Sequence, residues 1–208
     1  MEIVRDPAAL EPWFAAVNAP AEVRAEVVAA LTAPTRHWHG LTHHALMLAA
    51  VVRDAPDEAA RRRLIWATLL HDLVYDATAP DNEERSADRA RALVPSADRD
   101  AVVAMILATK RHDLAAADAQ TRILLNADLS VLWSEPDLYA FYAHGIRAEY
   151  AHVPAEAYRH GRAAVLTHLQ QVLEPELAPS EAEALARNLD WERGMLSAGA
   201  LDAAPTGA

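Results

Sequence analysis

Apolar residues recur at steps of three and four along nearly the whole chain, whereas the alternating runs typical of β-strands are nearly absent. Ala, Leu, Glu and Arg, which favour helices, are abundant. Prolines and short polar stretches separate the periodic segments. The pattern predicts an all-α bundle of about 8–10 helices. The predicted helical ranges are 7–17, 21–32, 41–54, 58–75, 83–94, 97–111, 118–132, 136–150, 155–173 and 180–194.

Length and cysteine usage limit the fold and the metal chemistry. The chain has 208 residues, of which 52% are apolar, and this predicts one compact domain over residues 1–196. The small-residue-rich end, 197–208, is predicted to be a flexible tail. Because the chain contains no cysteine, a bound metal must be held by His, Asp, Glu or backbone oxygen.

Charge and hydropathy exclude several classes of partner. The net charge of −11 repels polyanions, so no long nucleic acid is expected to bind. A small phosphorylated substrate is not excluded, because a local Arg cluster and a metal ion can reverse the potential within one pocket. The sequence shows no signal-peptide pattern and no run of about 18 apolar residues, which predicts a cytoplasmic protein without membrane contact.

The predicted helix over 58–75 carries the most information. Its apolar residues spread around most of the circumference, which predicts a central, buried helix. His71 and Asp72 lie within its most apolar stretch, where an unpaired ionised group costs several kcal/mol, as an order of magnitude. A metal ion compensates such a pair, because the carboxylate supplies charge and the neutral imidazole a lone pair.

Other segments offer the further ligands that such a site needs. His39 and His43 are four residues apart and share a face if both are helical, although Gly40 can place His39 just before the first turn. His44 is expected to point away from His43. Asp128 lies in the apolar segment ILLNADLSVLW, where a buried carboxylate again needs a partner.

These residues resemble the signature of the HD-domain superfamily of metal-dependent phosphohydrolases, a His, a His-Asp doublet and a distant Asp. The surrounding motifs are still more similar to an uncharacterised bacterial branch of predicted HD phosphohydrolases, over roughly residues 30–192. The chain departs from that branch at Trp38, where Tyr is usual. The residues that carry the resemblance are Arg36, Trp38, His39 and His43; His71, Asp72, Tyr75 and Asp76; Asn82, Glu83, Glu84, Ser86 and Ala87; and Ala127, Asp128 and Leu129.

The resemblance implies a metal site formed by His43, His71, Asp72 and Asp128. One divalent ion is expected, of Mn, Fe, Co, Ni, Zn or Mg, and a second is left open. Such an ion lowers the pKa of a bound water and polarises a phosphoryl oxygen. Asp72 is expected both to bind the metal and to orient that water. Asp76, one helical turn after Asp72 if the helix continues, and Glu83 are the predicted general acid or base. A helix end and a capping turn are the alternative roles of these two carboxylates.

Several side chains are candidates for substrate contacts. A helix-cap role is the alternative for His39, and an ion pair with Glu149 or a neighbouring acid is the alternative for Arg147 and Arg162. His112 is in addition a candidate ligand of a second metal ion. The predicted substrate-binding residues are Arg36, His39, Asn82, His112, Arg147 and Arg162.

The expected function is hydrolysis of a small phosphorylated metabolite or nucleotide. Two alternatives stay open: hydrolysis of a signalling nucleotide, either an alarmone or a cyclic nucleotide, and a non-catalytic regulatory or binding module that contains a metal. A non-hydrolytic enzyme with paired irons is a minor further alternative. A Gly-rich phosphate loop, a Gly-x-Ser-x-Gly elbow and a cysteine nucleophile are absent from the sequence. A homodimer is left open.

Overall fold

A computed structural model describes residues 3–202, and all regular secondary structure in that range is helical, as predicted. None of the described helices combines the length and the apolar character needed to cross a bilayer. Short 3-10 helices cover Pro7–Leu10, Ser130–Trp133 and Glu174–Glu176. The α-helices are α1 (Glu11–Ala16), α2 (Ala21–Leu31), α3 (Leu41–Asp54), α4 (Glu58–Leu70), α5 (Asn82–Leu93), α6 (Arg99–Thr109), α7 (Ala119–Leu129), α8 (Pro136–Glu149), α9 (Ala155–Leu173) and α10 (Pro179–Ser197).

The described chain divides into two compact units near the end of α7. We call the unit that ends at Asp128 the N-terminal unit and the unit that begins at Leu129 the C-terminal unit. All four predicted metal ligands belong to the N-terminal unit. The single domain expected over residues 1–196 stays a prediction.

Local capping signals explain where several helices begin. The side chain of Asp57 accepts a hydrogen bond of 2.8 Å from the backbone N–H of Ala60, and α4 begins directly after Asp57. Pro136 and Pro179 are the first residues of α8 and α10, where a missing N–H costs nothing.

Helix α4 is the central helix of the N-terminal unit, as predicted. It packs against α3, α5 and α6, so that most of its circumference is covered. Burial of its apolar side chains from water stabilises the unit and holds the end of α4 at a defined place. The fully buried large side chains of α4 are Leu64, Ile65, Trp66, Leu69 and Leu70.

The predicted extent of α4 to residue 75 is wrong, because the helix ends at Leu70. The backbone after it finds partners outside the helix. Arg36 donates hydrogen bonds to the carbonyls of Asp72, at 2.5 Å, and Leu73, at 3.0 Å. The hydroxyl of Ser86 accepts a hydrogen bond of 3.0 Å from the N–H of Val74. Since these groups are satisfied without helical bonding, the chain can turn away at His71 and Asp72.

The C-terminal segment extends further than predicted. Helix α10 ends at Ser197, and Leu201, only 1% exposed, is buried. Asp202 forms an ion pair with Arg159 of α9. These contacts hold the start of the segment predicted to be a flexible tail. The rest of that predicted tail, 203–208, lies outside the described residues.

Asp98 joins the start of α6 to α4 through ion pairs with two partly exposed arginines. Its side chain is 3% exposed and accepts hydrogen bonds from the Nε of Arg62 at 2.6 Å and the Nε of Arg63 at 3.2 Å. The hydrogen bond from Arg62 lowers the pKa of Asp98, although burial opposes the shift. The ionised carboxylate therefore stabilises the folded state.

Asp98→Asn is expected to lower the free energy of unfolding by about 2 kcal/mol at neutral pH, since it removes hydrogen bonds to charged groups. Because the folded-state pKa of Asp98 is depressed, its contribution is present above about pH 4 and is lost as the pH falls through the folded-state value. The difference between parent and variant should therefore shrink in acid. Urea unfolding followed by circular dichroism at neutral and acidic pH measures this difference.

The matched control for this prediction is Asp100→Asn, the same change at an exposed position in the first turn of α6. We expect it to change stability by only a few tenths of a kcal/mol. If Asp98→Asn were as stable as this control at neutral pH, the ion pair would not contribute to stability.

Candidate metal centre

Three segments of the N-terminal unit bring the four predicted metal ligands together. His43 lies in the first turn of α3, His71 and Asp72 follow the end of α4, and Asp128 lies in the last turn of α7. The Nε2 atom of His43 is 3.3 Å from Oδ1 of Asp128 and 3.8 Å from Oδ2 of Asp72. The Nε2 atom of His71 is 3.1 Å from that same Oδ2 atom. The structure thus assembles these side chains into one cluster.

The cluster fits a metal ion in its donor atoms and in its burial. His43 and His71 are each 2% exposed, and their Nε2 atoms have no hydrogen-bond partner. The Nδ1 atom of His71 lies 2.9 Å from the carbonyl of Thr68, and this contact leaves Nε2 to face the cluster. Ligand atoms of His43, His71 and Asp128 lie within 4.8 Å of one another. Buried nitrogen lone pairs beside two carboxylates are suited to a divalent cation.

His44 also lies at the cluster, beside His71 and Asp72, and its expected direction away from His43 stays a prediction. Its ligand atom lies within 4.8 Å of those of His71 and Asp72. The side chain is completely buried, and burial lowers the pKa of His44 well below its usual value. His44 directly follows His43 in the sequence. Adjacent residues of a helix point about 100° apart, so the sequence offered no reason to expect both at one site. Only the position of the turn after α4 brings His71 toward both histidines.

His112 lies at the edge of the cluster and contacts Asp128, while its predicted contact with substrate or a second metal ion stays a prediction. Its Nε2 atom is 2.9 Å from Oδ2 of Asp128, so the two oxygens of this carboxylate face His112 and His43. His112 follows α6 with a φ of +49°, in the left-handed region that costs a non-glycine residue about 1–2 kcal/mol. Its side chain is 31% exposed, so His112 can meet both Asp128 and solvent.

The groups of the cluster shift one another's pKa values. Burial alone raises the pKa of Asp72, but the charge of His71 outweighs it and the net shift is downward. Burial is likewise outweighed at Asp128, where His112 and His43 hold the pKa well below its usual range. Burial lowers the pKa of His43. At His71 burial also acts downward, but Asp72 and Asp128 together raise the pKa to about 9.

Metal binding is therefore expected to release a proton from His71. At about pH 7.5 the metal-free cluster holds this proton, and because a metal ion binds only neutral imidazole, uptake should release about one proton per ion. The number should fall to about one half at pH 9, where half of this proton is already lost, and further at higher pH. Calorimetric titration with Co²⁺ in two buffers of different ionisation enthalpy measures it. A count near zero at the lower pH would contradict the assigned protonation of His71.

His39 and Arg36 lie beside the cluster. The ring of His39 stacks on Tyr75, with centroids 4.3 Å apart, and lies 5.8 Å from the ring of His43. Arg36 donates hydrogen bonds to the carbonyls of His39 and Asp72, at 3.1 and 2.5 Å, and to that of Leu73. The guanidinium predicted to bind substrate thus supports the backbone on which two site residues lie.

Asp76 and Asn82 close the loop between α4 and α5. Because α4 ends before Asp72, the expectation that Asp76 shares a helix face with Asp72 is wrong. The carboxylate of Asp76 instead accepts hydrogen bonds from the N–H and hydroxyl of Thr78, at 2.8 and 2.6 Å. The amide of Asn82 bonds to the backbone N–H and carbonyl of Asp76, at 3.0 and 2.9 Å. These contacts favour the structural alternative for Asp76 and show that Asn82 closes the loop.

Glu83, the other predicted acid or base, lies in the first turn of α5. The hydrogen bond of Glu84 raises the pKa of Lys110, and the charge of Glu83 contributes to the same shift. Glu83 therefore lies near Lys110, at the end of α6. Its role as a proton carrier stays a prediction.

Arg147 and Arg162 are buried within the C-terminal unit. The Nε and Nη2 atoms of Arg162 donate to Glu192, at 2.7 and 3.1 Å, and Nη2 also donates to the hydroxyl of Tyr142. The guanidinium of Arg147 lies 4.7 Å from the ring centroid of Tyr158. Both arginines are less than 10% exposed. Their predicted contact with a substrate phosphate finds no support in this geometry.

Comparison with known proteins identifies no relative of the chain: no family model, no curated protein and no solved structure matches it.

Proposed function

We propose that this protein is a metal-dependent phosphohydrolase of a small phosphorylated metabolite or nucleotide. The observation that carries the proposal is the buried cluster of His43, His71, Asp72 and Asp128, in which two unpartnered imidazole nitrogens lie beside two carboxylates. The Nε2 atoms of His43 and His71 have no hydrogen-bond partner, yet carboxylate oxygens lie 3.1–3.8 Å from them, and a divalent cation can be held between these groups.

A divalent cation bound there supplies a Lewis acid, which activates water and offsets the charge of a phosphoryl group. The protein's own groups orient and exchange protons around it. Thr68 fixes the ring of His71 through its carbonyl. Asp128 holds His112, whose partly exposed ring can donate a proton to a departing oxygen at the edge of the cluster. The ring of His39, stacked on Tyr75, lies 5.8 Å from the ring of His43.

The proposal is tested by phosphate release from nucleoside mono-, di- and triphosphates and from generic phosphate esters. Protein stripped by a chelator should be inactive, and activity should return with Mn²⁺, Co²⁺, Ni²⁺ or Mg²⁺. Metal content of protein purified without chelator is measured in parallel by plasma emission. We expect bound metal and metal-dependent phosphate release from at least one class of ester.

His71→Ala and His168→Ala provide a matched pair of variants. His168 is an exposed residue of α9, so its replacement should leave metal content and activity as in the parent. His71→Ala should lose both. Metal bound at full occupancy without phosphate release from any ester would overturn the hydrolase proposal while leaving the metal site in place.

A further inference from the structure

Three imidazole rings lie next to one another in the cluster. The ring centroids of His43 and His44 are 5.4 Å apart, those of His43 and His71 5.5 Å, and those of His44 and His71 4.9 Å. Imidazoles bound to one ion at a metal–nitrogen distance of about 2.1 Å have centroids separated by about 4.5–5.5 Å at ordinary coordination angles. The three rings therefore have the spacing of a shared metal ion.

The free nitrogen of His44 is a lone pair rather than a donor. Its Nδ1 atom lies 3.0 Å from the carbonyl of Gly40, and because a carbonyl only accepts, Nδ1 carries the proton. The Nε2 atom then carries the lone pair. This atom is buried and has no hydrogen-bond partner in the described structure. A buried acceptor without a partner requires an explanation.

His44 lies beside two of the predicted metal ligands. Its ligand atom lies within 4.8 Å of the ligand atoms of His71 and Asp72, and His71 also belongs to the triad with His43 and Asp128. The two triads share His71, and the rings of His43 and His44, with centroids 5.4 Å apart, place the second triad directly beside the first. Together the two triads contain three imidazoles and two carboxylates.

We propose that His44 is a third imidazole ligand of the metal ion and that the site takes a first-row transition ion in preference to Mg²⁺. Imidazole suits Zn²⁺, Co²⁺, Ni²⁺ and Fe²⁺, whereas Mg²⁺ prefers oxygen ligands and retains its waters. Each added imidazole therefore strengthens binding of the transition ion more than binding of Mg²⁺. This inference rests on the proposed function only in requiring that the cluster binds a metal.

X-ray absorption spectroscopy of the Co²⁺-loaded parent protein tests the ligand number without any substitution. The multiple-scattering features of imidazole should fit three histidine ligands per Co²⁺ ion. A fit to two would overturn the inference about His44 and leave the metal site itself standing. Failure to bind any transition ion would overturn both this inference and the proposed function.

A second measurement compares metal affinities of His44→Gln and His37→Gln by competition with a chromophoric chelator. Loss of His44 should weaken Co²⁺ binding by more than about 10-fold, because even the loss of a residue that only supports a ligand costs about that much. Binding of Mg²⁺ should change much less. His37 is an exposed histidine that precedes α3, so its replacement should leave both affinities unchanged. Equal Co²⁺ affinities in the two variants would overturn the proposal.

Discussion

Asp128→Asn is expected to lower metal affinity by more than about 100-fold, the upper end of what the loss of an outer-shell partner costs. Metal-dependent phosphate release should fall below detection at micromolar metal. The affinity is measured by competition with a chromophoric chelator, and the activity by phosphate release at several metal concentrations. High metal should restore part of the activity if the variant is folded.

The size of the effect follows from the position of the carboxylate. Its two oxygens lie 3.3 Å from the Nε2 atom of His43 and 2.9 Å from that of His112. Asparagine keeps one oxygen but carries no charge, and its NH₂ group would face one of these histidines. The same change therefore weakens the metal site and releases His112.

Asp118→Asn is the matched control, because it makes the same substitution at the other end of α7. Asp118 is exposed and accepts a hydrogen bond of 2.8 Å from the N–H of Thr121, which asparagine can also accept. Metal affinity and activity should remain those of the parent. If Asp128→Asn behaved like this control, Asp128 would not be a metal ligand.

Glu192→Gln should cause the largest loss of stability in the C-terminal unit, about 3–5 kcal/mol, the range for breaking a buried ion pair on one side. Glu192 is completely buried and accepts hydrogen bonds from Arg162 and, at 2.5 Å, from the hydroxyl of Tyr139. Glutamine leaves the guanidinium buried without its counter-charge. Hydrogen exchange followed by mass spectrometry on peptides of α8, α9 and α10 reports the loss locally.

Glu183→Gln, on an exposed face of the same helix, is the control. It should change the free energy of opening measured by hydrogen exchange by less than about 0.5 kcal/mol. The double variant Arg162→Leu with Glu192→Leu should recover much of the stability, because it removes both charges. Normal protection of α8–α10 in Glu192→Gln would show that this ion pair contributes little.

The helices and most of the candidate metal ligands were predictable from the sequence, because their signals lie within short segments. Apolar spacing and capping residues such as Asp57 and Pro136 act within a few residues of the helix that they start. The sequence also shows a His-Asp doublet in one apolar segment and Asp128 in another. Burial of these polar groups requires a partner that offsets its cost. These signals predicted His43, His71, Asp72 and Asp128, which the fold brings together.

Contacts between distant segments decided the remainder. Helix α4 ends at Leu70 because distant side chains satisfy the backbone beyond it. Arg36 donates to the carbonyl of Asp72, 36 residues away, and Ser86 accepts from the N–H of Val74, 12 residues away. No local propensity marks that end, so the expected alignment of Asp76 with Asp72 was wrong.

The sequence alone thus determined which segments are helical and which side chains can bind a metal, since helix propensity and ligand chemistry belong to the residues themselves. The tertiary structure alone decided which candidates meet. It brought His44 and His112 to the cluster, and it paired Arg162 with Glu192 in the C-terminal unit. The physical reason is that burial and hydrogen bonding depend on distances between segments, which periodicity along one segment does not contain.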